Sequence, residues 1–298
     1  YNPECQMIYS ELKAKDLVIL TMDGKVWRYC NGTTEVEEIC DVFADSGFKK
    51  SGLIPWESKR GGDQHIRVPE NVIYFNLRQD YDDSTGKYSK KDSGFPNFAR
   101  LNLEDGSVQL FGKLPAYSPY QDYGLHSSQF SLWIGDSIIT SNACNGEIKI
   151  INTQSNKTKT MRIKSRYDTI PIEKFNYKGD FSDKKNAKFK HGLLAPNYES
   201  LFYNPYNGNY YRIFHPKMEE FNAEGLNNTE YDKEAVLMVF DKNLKLLDEV
   251  LLPVKRSQIL KLFPIKDGVA ITLPDSFRYN GYKGTESYTR VYLNVHHR

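Results

Sequence analysis

The chain has 298 residues, with 40 Lys and Arg against 38 Asp and Glu and a net charge of +2. A balance this close leaves no general field to gather nucleic acid or an anionic membrane surface. A hydrophobic share of 39% beside 26% charged residues is that of a folded globular chain, and the longest apolar runs, such as 235–240, are far shorter than the roughly 20 residues of a spanning helix.

Tyr, Phe and Trp number 21, 16 and 3, an enrichment that favours pleated, half-buried strands. In chain order, short β runs alternate with tight turns. Leu17 to Met22 leads through Asp23-Gly24 into Lys25 to Tyr29. Ala99 to Leu103 turns at Glu104-Asp105-Gly106 into Ser107 to Phe111. Ile138 to Thr140 is followed by Asn145-Gly146 and by Glu147 to Ile151. Glu199 to Phe202 turns through Asn204-Pro205-Tyr206-Asn207-Gly208 into Tyr210 to Phe214, and Leu260 to Phe263 through Asp267-Gly268 into Val269 to Leu273. Asp-Gly and Asn-Gly between such runs are hairpin signals, because Gly accepts the positive φ these turns need.

A longer unit also repeats. Ile148 to Asn152 followed by Thr158 to Lys164, Val236 to Asp241 followed by Leu244 to Leu252, and Phe98 to Leu114 each pair an apolar strand with an alternating, edge-like one. A gradient from buried to edge strand is what a four-stranded propeller blade requires. The spacing predicts an all-β β-propeller forming a single domain over 1–298, with blades at about 128–164, 191–252 and 258 to the C-terminus and two more before residue 120. The last blade stops at a third strand from Thr289 to Val295, and the strand near Gln6 to Tyr9 is expected to close the ring by pairing of the chain termini. Insertions at about 80–97 and 216–233 read as loops. No amphipathic helix pattern of ordinary length is visible, and 165–190 fits no element.

Cys5, Cys30, Cys40 and Cys144 are too few and too scattered for a disulfide scaffold. If Cys30 and Cys40 flank the turn at 31–34, Cys40 lies about 17 Å from the position opposite Cys30, beyond the roughly 7 Å a disulfide spans. Free thiols are expected. The chain begins at Tyr1 rather than Met, which suits a trimmed form.

The unit ending Ile163-Lys164-Ser165, the run Leu201 to Arg212 and the strand end Val239 to Leu244 resemble the TolB-like six-bladed propellers. More narrowly, they resemble a domain-of-unknown-function group of secreted Bacteroidetes lipoproteins. The resemblance covers nearly the whole chain and implies six blades and a cell-envelope location, periplasmic or as an outer-membrane lipoprotein. Contact with a membrane would then run only through a lipid anchor outside this chain. The resemblance assigns no catalytic residue.

Asp80, Asp82, Ser84 and Gly86 imitate a calcium loop, but Thr85 and Lys91 stand where the sharp-turn Gly and the closing Glu belong. No zinc spacing, phosphate loop, dinucleotide fingerprint or nucleophile elbow occurs, so no metal or other cofactor is expected. Topology points elsewhere. In a propeller the loops that lead into the innermost strands gather at the channel mouth. Three such loops, 123–126, 188–191 and 255–257, bring His126, Lys190, His191 and Arg256 toward one funnel, bordered by Tyr123 and Tyr167. A basic, aromatic rim suits an anionic or sugar-like ligand; the plainer alternative is ordinary loop charge and a structural histidine.

Two functions from different classes follow. The first is a monomeric, non-enzymatic binding module for a glycan, a peptide or a partner protein, with no nucleic-acid role. The second is a carbohydrate-active hydrolase or lyase with its site in the funnel. Fold alone does not choose between them.

Overall fold

The computed structural model describes residues 7–13, 16–21, 24–30, 35–42, 53–56, 64–66, 69–79, 81–82, 87–88, 96–113, 129–173, 175–176, 181–229, 232–252, 261–273 and 289–294. In chain order the strands are β1 (Met7–Lys13), β2 (Asp16–Thr21), β3 (Lys25–Tyr29), β4 (Val36–Asp41), β5 (Leu53–Trp56), β6 (Gln64–Ile66), β7 (Val72–Gln79), β8 (Tyr81–Asp82), β9 (Lys87–Tyr88), β10 (Pro96–Asn102) and β11 (Val108–Lys113). They continue with β12 (Gln129–Ile134), β13 (Ser137–Asn142), β14 (Glu147–Asn152), β15 (Thr158–Arg162), then helix α1 (Phe181–Leu194), β16 (Asn197–Tyr203), β17 (Tyr210–His215), β18 (Val236–Phe240), β19 (Leu246–Leu251), β20 (Lys261–Ile265), β21 (Gly268–Leu273) and β22 (Thr289–Asn294).

Five sheets of three or more strands are found among the described residues: β1–β2–β3–β4, β5–β7–β10–β11, β6–β12–β13–β14–β15, β16–β17–β18–β19 and β20–β21–β22. All pair antiparallel except β6, which runs parallel to β12. β8 and β9 form a two-stranded ribbon inside the 80–97 insertion.

The sheets stack in series, and the alternation of side chains along each strand shows how. In β18 every residue is fully buried, yet the two faces serve different neighbours. Val236, Met238 and Phe240 pack toward the third sheet. Leu237 and Val239 pack toward Val269 and Ile271 of the fifth. In β7, Ile73, Phe75 and Leu77 meet the first sheet, whereas Val72 and Tyr74 meet Trp133, Ile138 and Ile151 of the third. Burying each such side chain on a pleat contributes about 1.5–3 kcal/mol, and a sheet with two apolar faces cannot satisfy both alone. This nearest-neighbour stacking is propeller-like.

The seam between the second and third sheets is aromatic. Tyr74 stacks on Trp133 with centroids 5.0 Å apart, and Phe98 meets the same indole edge-on at 5.3 Å. Ser131 donates to Asn76 Oδ1 across this seam at 2.9 Å. The outermost strands are the exposed ones: β15 has no buried position and β19 has one. The apolar-then-alternating pairs of the sequence are therefore the last two strands of their sheets.

A repeated loop makes the hairpins. Asn102 accepts the Glu104 amide on its side chain and the Gly106 amide on its carbonyl. Asn204 does the same for Tyr206 and Gly208, and Asp241 for Asn243 and Leu244. The side chain stands in for a backbone acceptor, and the chain leaves through a left-handed residue, Gly106 at φ 68° or Gly208 at φ 75°.

Three expectations are corrected or narrowed. Residues 181–194, within and beyond the stretch that fitted no element, form helix α1, so the segment 188–191 lies on a helix and is not a loop feeding an inner strand. Its Lys-rich sequence carries no continuous apolar stripe; contacts at its C-terminal end hold it. The 80–97 insertion is not wholly loop, since it contains β8 and β9. β1 pairs with β2, and no described pairing joins it to β22; the count of six blades and closure through the termini do not emerge from the described pairings. Cys30, Cys40 and Cys144 are free thiols, and Tyr29 pairs with Val36 while Cys40 sits opposite Val26.

Candidate functional site

Strand alternation gives the stack two unlike ends. At one end the second to fifth sheets reverse through the short segments 103–107, 135–136, 153–157, 204–209, 241–245 and 266–267; only the β5–β7 connection, which contains β6, is long. At the other end the strands flank the connections 80–95, 114–128, 163–196, 216–235, 252–260 and 274–288, with 143–146 the one short turn. Like ends adjoin across the seams: Tyr198 N donates to Ala143 O at the long-connection end, and Asn204 Nδ2 donates to Ile265 O and Gly268 O at the short-turn end.

Helix α1 is fixed over the long-connection end by its last turn. The fully buried Lys233 ammonium donates to Leu193 O (2.9 Å), to Ala195 O and to Asn197 Oδ1 (3.0 Å). A cation at the negative end of a helix dipole, spending its donors on orphan carbonyls, stabilises that terminus. Met218 N donates to Leu194 O, and Lys190 pairs with Glu220, so the 216–235 connection and the helix act as one unit.

Beneath them, Arg212 lies fully buried in the seam between the third and fourth sheets. Its Nε donates to Glu199 O at 3.0 Å and its Nη2 to Asn142 O at 2.7 Å, and the guanidinium sits 4.3 Å over the Tyr198 ring. Nη1 has no hydrogen-bond partner among the described residues. Burial pushes the guanidinium down to about 10. The Tyr198 hydroxyl donates to Asp168 Oδ2 at 2.7 Å and accepts the Ser165 amide at 3.1 Å, and burial raises its phenol well above the usual range. Glu199 Oε1 lies 3.4 Å from His215 Nε2, whose Nδ1 is 2.9 Å from Glu234 O. Glu249 accepts the Arg166 amide, and Arg166 Nη2 donates to Glu249 O at 2.7 Å. The network clamps the segment after β15 across the fourth sheet. It is built of structural hydrogen bonds, with every named carboxylate occupied.

The residues expected at the funnel divide. Tyr167 is half-buried against the core of this seam, with the Arg166 guanidinium 5.1 Å from its ring. Lys190 is exposed on α1 and spends its charge on Glu220. His191 is half-buried one residue on, its ring 5.4 Å from Phe175, and its Nε2 is buried with no hydrogen-bond partner among the described residues. Lys190 and His191 thus share one helix at the end where Tyr167 lies; no described contact joins Tyr167 to them. Tyr123, His126 and Arg256 lie outside the described residues, as do Asp80, Ser84, Thr85, Gly86 and Lys91 of the calcium-like loop. No group of three metal-ligating side chains occurs among the described residues, and no described helix is long and apolar enough to cross a membrane.

Residues 49–251 match the domain of unknown function DUF4221. The chain belongs to the DUF4221 family. The match spans β5 to β19, and with them the aromatic seam, the Arg212 seam and α1. No curated protein matches this DUF4221 chain. A crystal structure of a DUF4221 member from Bacteroides vulgatus is 13% identical, covering 92% of this chain and 88% of that one with a TM-score of 0.47. An oligogalacturonate lyase in complex with manganese is 9% identical, over 90% of this chain and 58% of that chain, with a TM-score of 0.48. The β-propeller domain of Cps50 (Swd1) from Myceliophteria thermophila is 9% identical, over 96% and 71%, with a TM-score of 0.43.

The residues of this DUF4221 chain that organise the long-connection end, Arg212, Tyr198, Asp168 and Lys233, were not among those singled out from sequence. Arg212 carried a legible signal: a cation inside the run Tyr210-Tyr211-Arg212-Ile213-Phe214, where every neighbour is apolar or aromatic. A buried charge needs partners, so that position pointed to a network.

Proposed function

We propose that this DUF4221 chain is a non-enzymatic, monomeric binding module of the cell envelope, built as a six-bladed ring, that takes an anionic or sugar-like ligand at its long-connection end. The observation that carries this reading is the segregation of the two ends. Short self-contained turns occupy one, while the helix and all but one of the long connections spring from the other. Binding residues concentrate on loops held by a rigid scaffold. Tyr167, Lys190 and His191 stand at that end, and Tyr123, His126 and Arg256 belong to connections whose flanking strands finish there. In this reading an imidazole with an unspent ring nitrogen, an arginine and tyrosine faces meet carboxylate, phosphate or sugar hydroxyls.

The test is a thermal-shift panel of anionic and neutral glycans and small anionic metabolites. A ligand that binds only the folded chain adds about 2.7 kcal/mol of stability at a hundred times its Kd, so a hit raises Tm. The same ligand should give no shift with the His126→Ala/His191→Ala/Arg256→Ala variant, whose own Tm should stay near that of the parent. Equal shifts for parent and variant would sink the funnel reading.

A further inference from the structure

Strand β17 ends at His215, and the 216–235 connection leaves from the next residue. It comes back to β18 through Glu234 and Ala235. Phe214 pairs with Val236 across the two strands, so the two feet of this long connection stand side by side. One imidazole spans them. His215 is buried. Its Nδ1 lies 2.9 Å from the carbonyl oxygen of Glu234, and its Nε2 lies 3.4 Å from Oε1 of Glu199 on β16.

This setting treats the two protonation states of the ring unequally. A neutral imidazole has one N–H and one lone pair. Whichever nitrogen keeps the proton, the other turns a lone pair toward an oxygen that has only lone pairs to offer. The imidazolium has two N–H groups and meets both oxygens. At 3.4 Å the Glu199 contact is longer than an ordinary N–H···O bond, so it draws on opposite charge, which only the protonated ring carries.

Two influences oppose the charge. Burial disfavours it, and the Lys233 ammonium reaches Asn197 Oδ1, where Asn197 is the register partner of His215. That ammonium is already met by three oxygens, those of Leu193, Ala195 and Asn197. Toward the fifth sheet, Tyr211 and Ile213 of β17 pack with Val269 and Ile271. The Glu234 carboxylate belongs to an exposed residue. Lys255 and Arg256, in the connection after β19, lie outside the described residues.

We propose that His215 is a proton-operated latch on the long-connection end. With the ring protonated, both feet of the 216–235 connection are held to one another and to β16. With the ring neutral, the hold on Glu199 is given up. The Glu199 side chain is 33% exposed and turns to water, whereas the Glu234 carbonyl is backbone and stays. Glu199 sits where the β16–β17 register slips between Tyr198 and Leu201, and its own carbonyl holds Arg212 Nε. Lys233, beside Glu234, holds the end of α1. The latch therefore acts on the elements that carry Lys190 and His191, and it does not rest on any ligand being bound there. Because the folded chain keeps this proton more tightly than the unfolded one, the latch is fully effective below the ordinary histidine value of about 6.5. Its contribution is lost as pH rises through the folded-state value.

The test uses the ligand-free full chain. Long-range proton–nitrogen NMR follows the six imidazoles against pH, with His215 assigned by its absence from His215→Gln. His215 should titrate above about 6.5. Glu199→Gln keeps the shape and removes the charge, and should lower that midpoint by about one pH unit. Hydrogen-exchange protection of 216–235 and of the end of α1 should fall by about tenfold through the titration in the parent, and stay level in both variants. If His215→Gln does not fold, the resonance that Glu199→Gln moves gives the assignment, and that variant carries the test. The latch is overturned if His215 stays neutral down to about pH 5, or if Glu199→Gln leaves its midpoint unmoved. It is overturned equally if protection in the variants keeps the pH dependence of the parent, which is the behaviour of a merely structural histidine. No ligand enters these measurements, so their failure and that of the ligand reading are separate results.

Discussion

The two ends of the blade stack are organised by different kinds of interaction. At the short-turn end the chain reverses with what lies within five residues: an Asn or Asp side chain, a few amides, and a left-handed residue that is Gly in two of the three loops described above. At the long-connection end the geometry comes from partners far apart in sequence. Lys233 holds the end of α1, Arg212 reaches the carbonyl of Asn142, and Tyr198 ties the Ser165 and Asp168 segment. The turns of one end are written locally, with Asn204 also reaching across a seam, and the other end is assembled by tertiary contacts, which is why substitutions at the two should fail in different ways.

The largest expected effect is at the assembled end. Lys233→Met keeps the length of the side chain but strands the carbonyls of Leu193 and Ala195 and the Asn197 amide oxygen, and unsatisfied buried acceptors cost about 1–3 kcal/mol each. A loss of about 3 kcal/mol in urea unfolding is expected, with a drop in helical far-UV signal; an unchanged helix signal would break the contrast. Gly146→Ala follows. A Cβ there meets the backbone carbonyl of Ile163, which is held by the Ile163 N to Gly146 O bond, and overpacking of this kind costs about 2–3 kcal/mol.

At the local end, Asn204→Ala removes one turn acceptor and the two bonds to the fifth sheet. About 2 kcal/mol should be lost, with the helix signal intact, since nothing in that turn reaches α1. Gly106→Ala forces an L-residue to φ 68° for about 1 kcal/mol, with the mutant Cβ in otherwise ordinary contact.

The effect in alkali is absent at neutral pH and grows only above pH 9. Burial raises the Cys40 thiol to about 11 and the Cys144 thiol to about 12, from 9.0. Above pH 9 the unfolded chain releases these protons while the folded chain retains them, so stability is full below pH 9 and declines as pH climbs toward 11 and 12. Cys144→Ala should make that decline shallower in pH-dependent urea titrations, and an identical slope would remove the thiol from the account.

This division also decides what could be read beforehand. Hairpins were legible because Asp105-Gly106, Asn145-Gly146 and Asn207-Gly208 carry their turn chemistry in place. The blade limits were legible because a unit closes on a more apolar strand, Val236–Phe240 being apolar throughout, followed by an exposed, alternating one. Helix α1 was not, since Lys184, Lys185, Lys188 and Lys190 interrupt any apolar stripe and the group that stabilises its end lies forty residues on. Strand alternation tells which connections share an end, but sequence does not say that His191 rides on a helix. Nor could it name the carbonyls of Glu199 and Asn142 as the partners of Arg212, because backbone acceptors have no residue signature.

The double-sided burial of β17 and β18 leaves the fourth sheet with a problem of indexing. Side chains of β18 are apolar on both faces, so a slip by one position would expose no charge and meet no electrostatic veto. Arg212 supplies the missing mark. Moved by one residue, β17 would turn its guanidinium away from Asn142 and into the apolar seam with the fifth sheet, lined by Leu237, Val239, Val269 and Ile271. A single charged side chain thus sets the frame in which the surrounding hydrophobic pattern can be counted only one way.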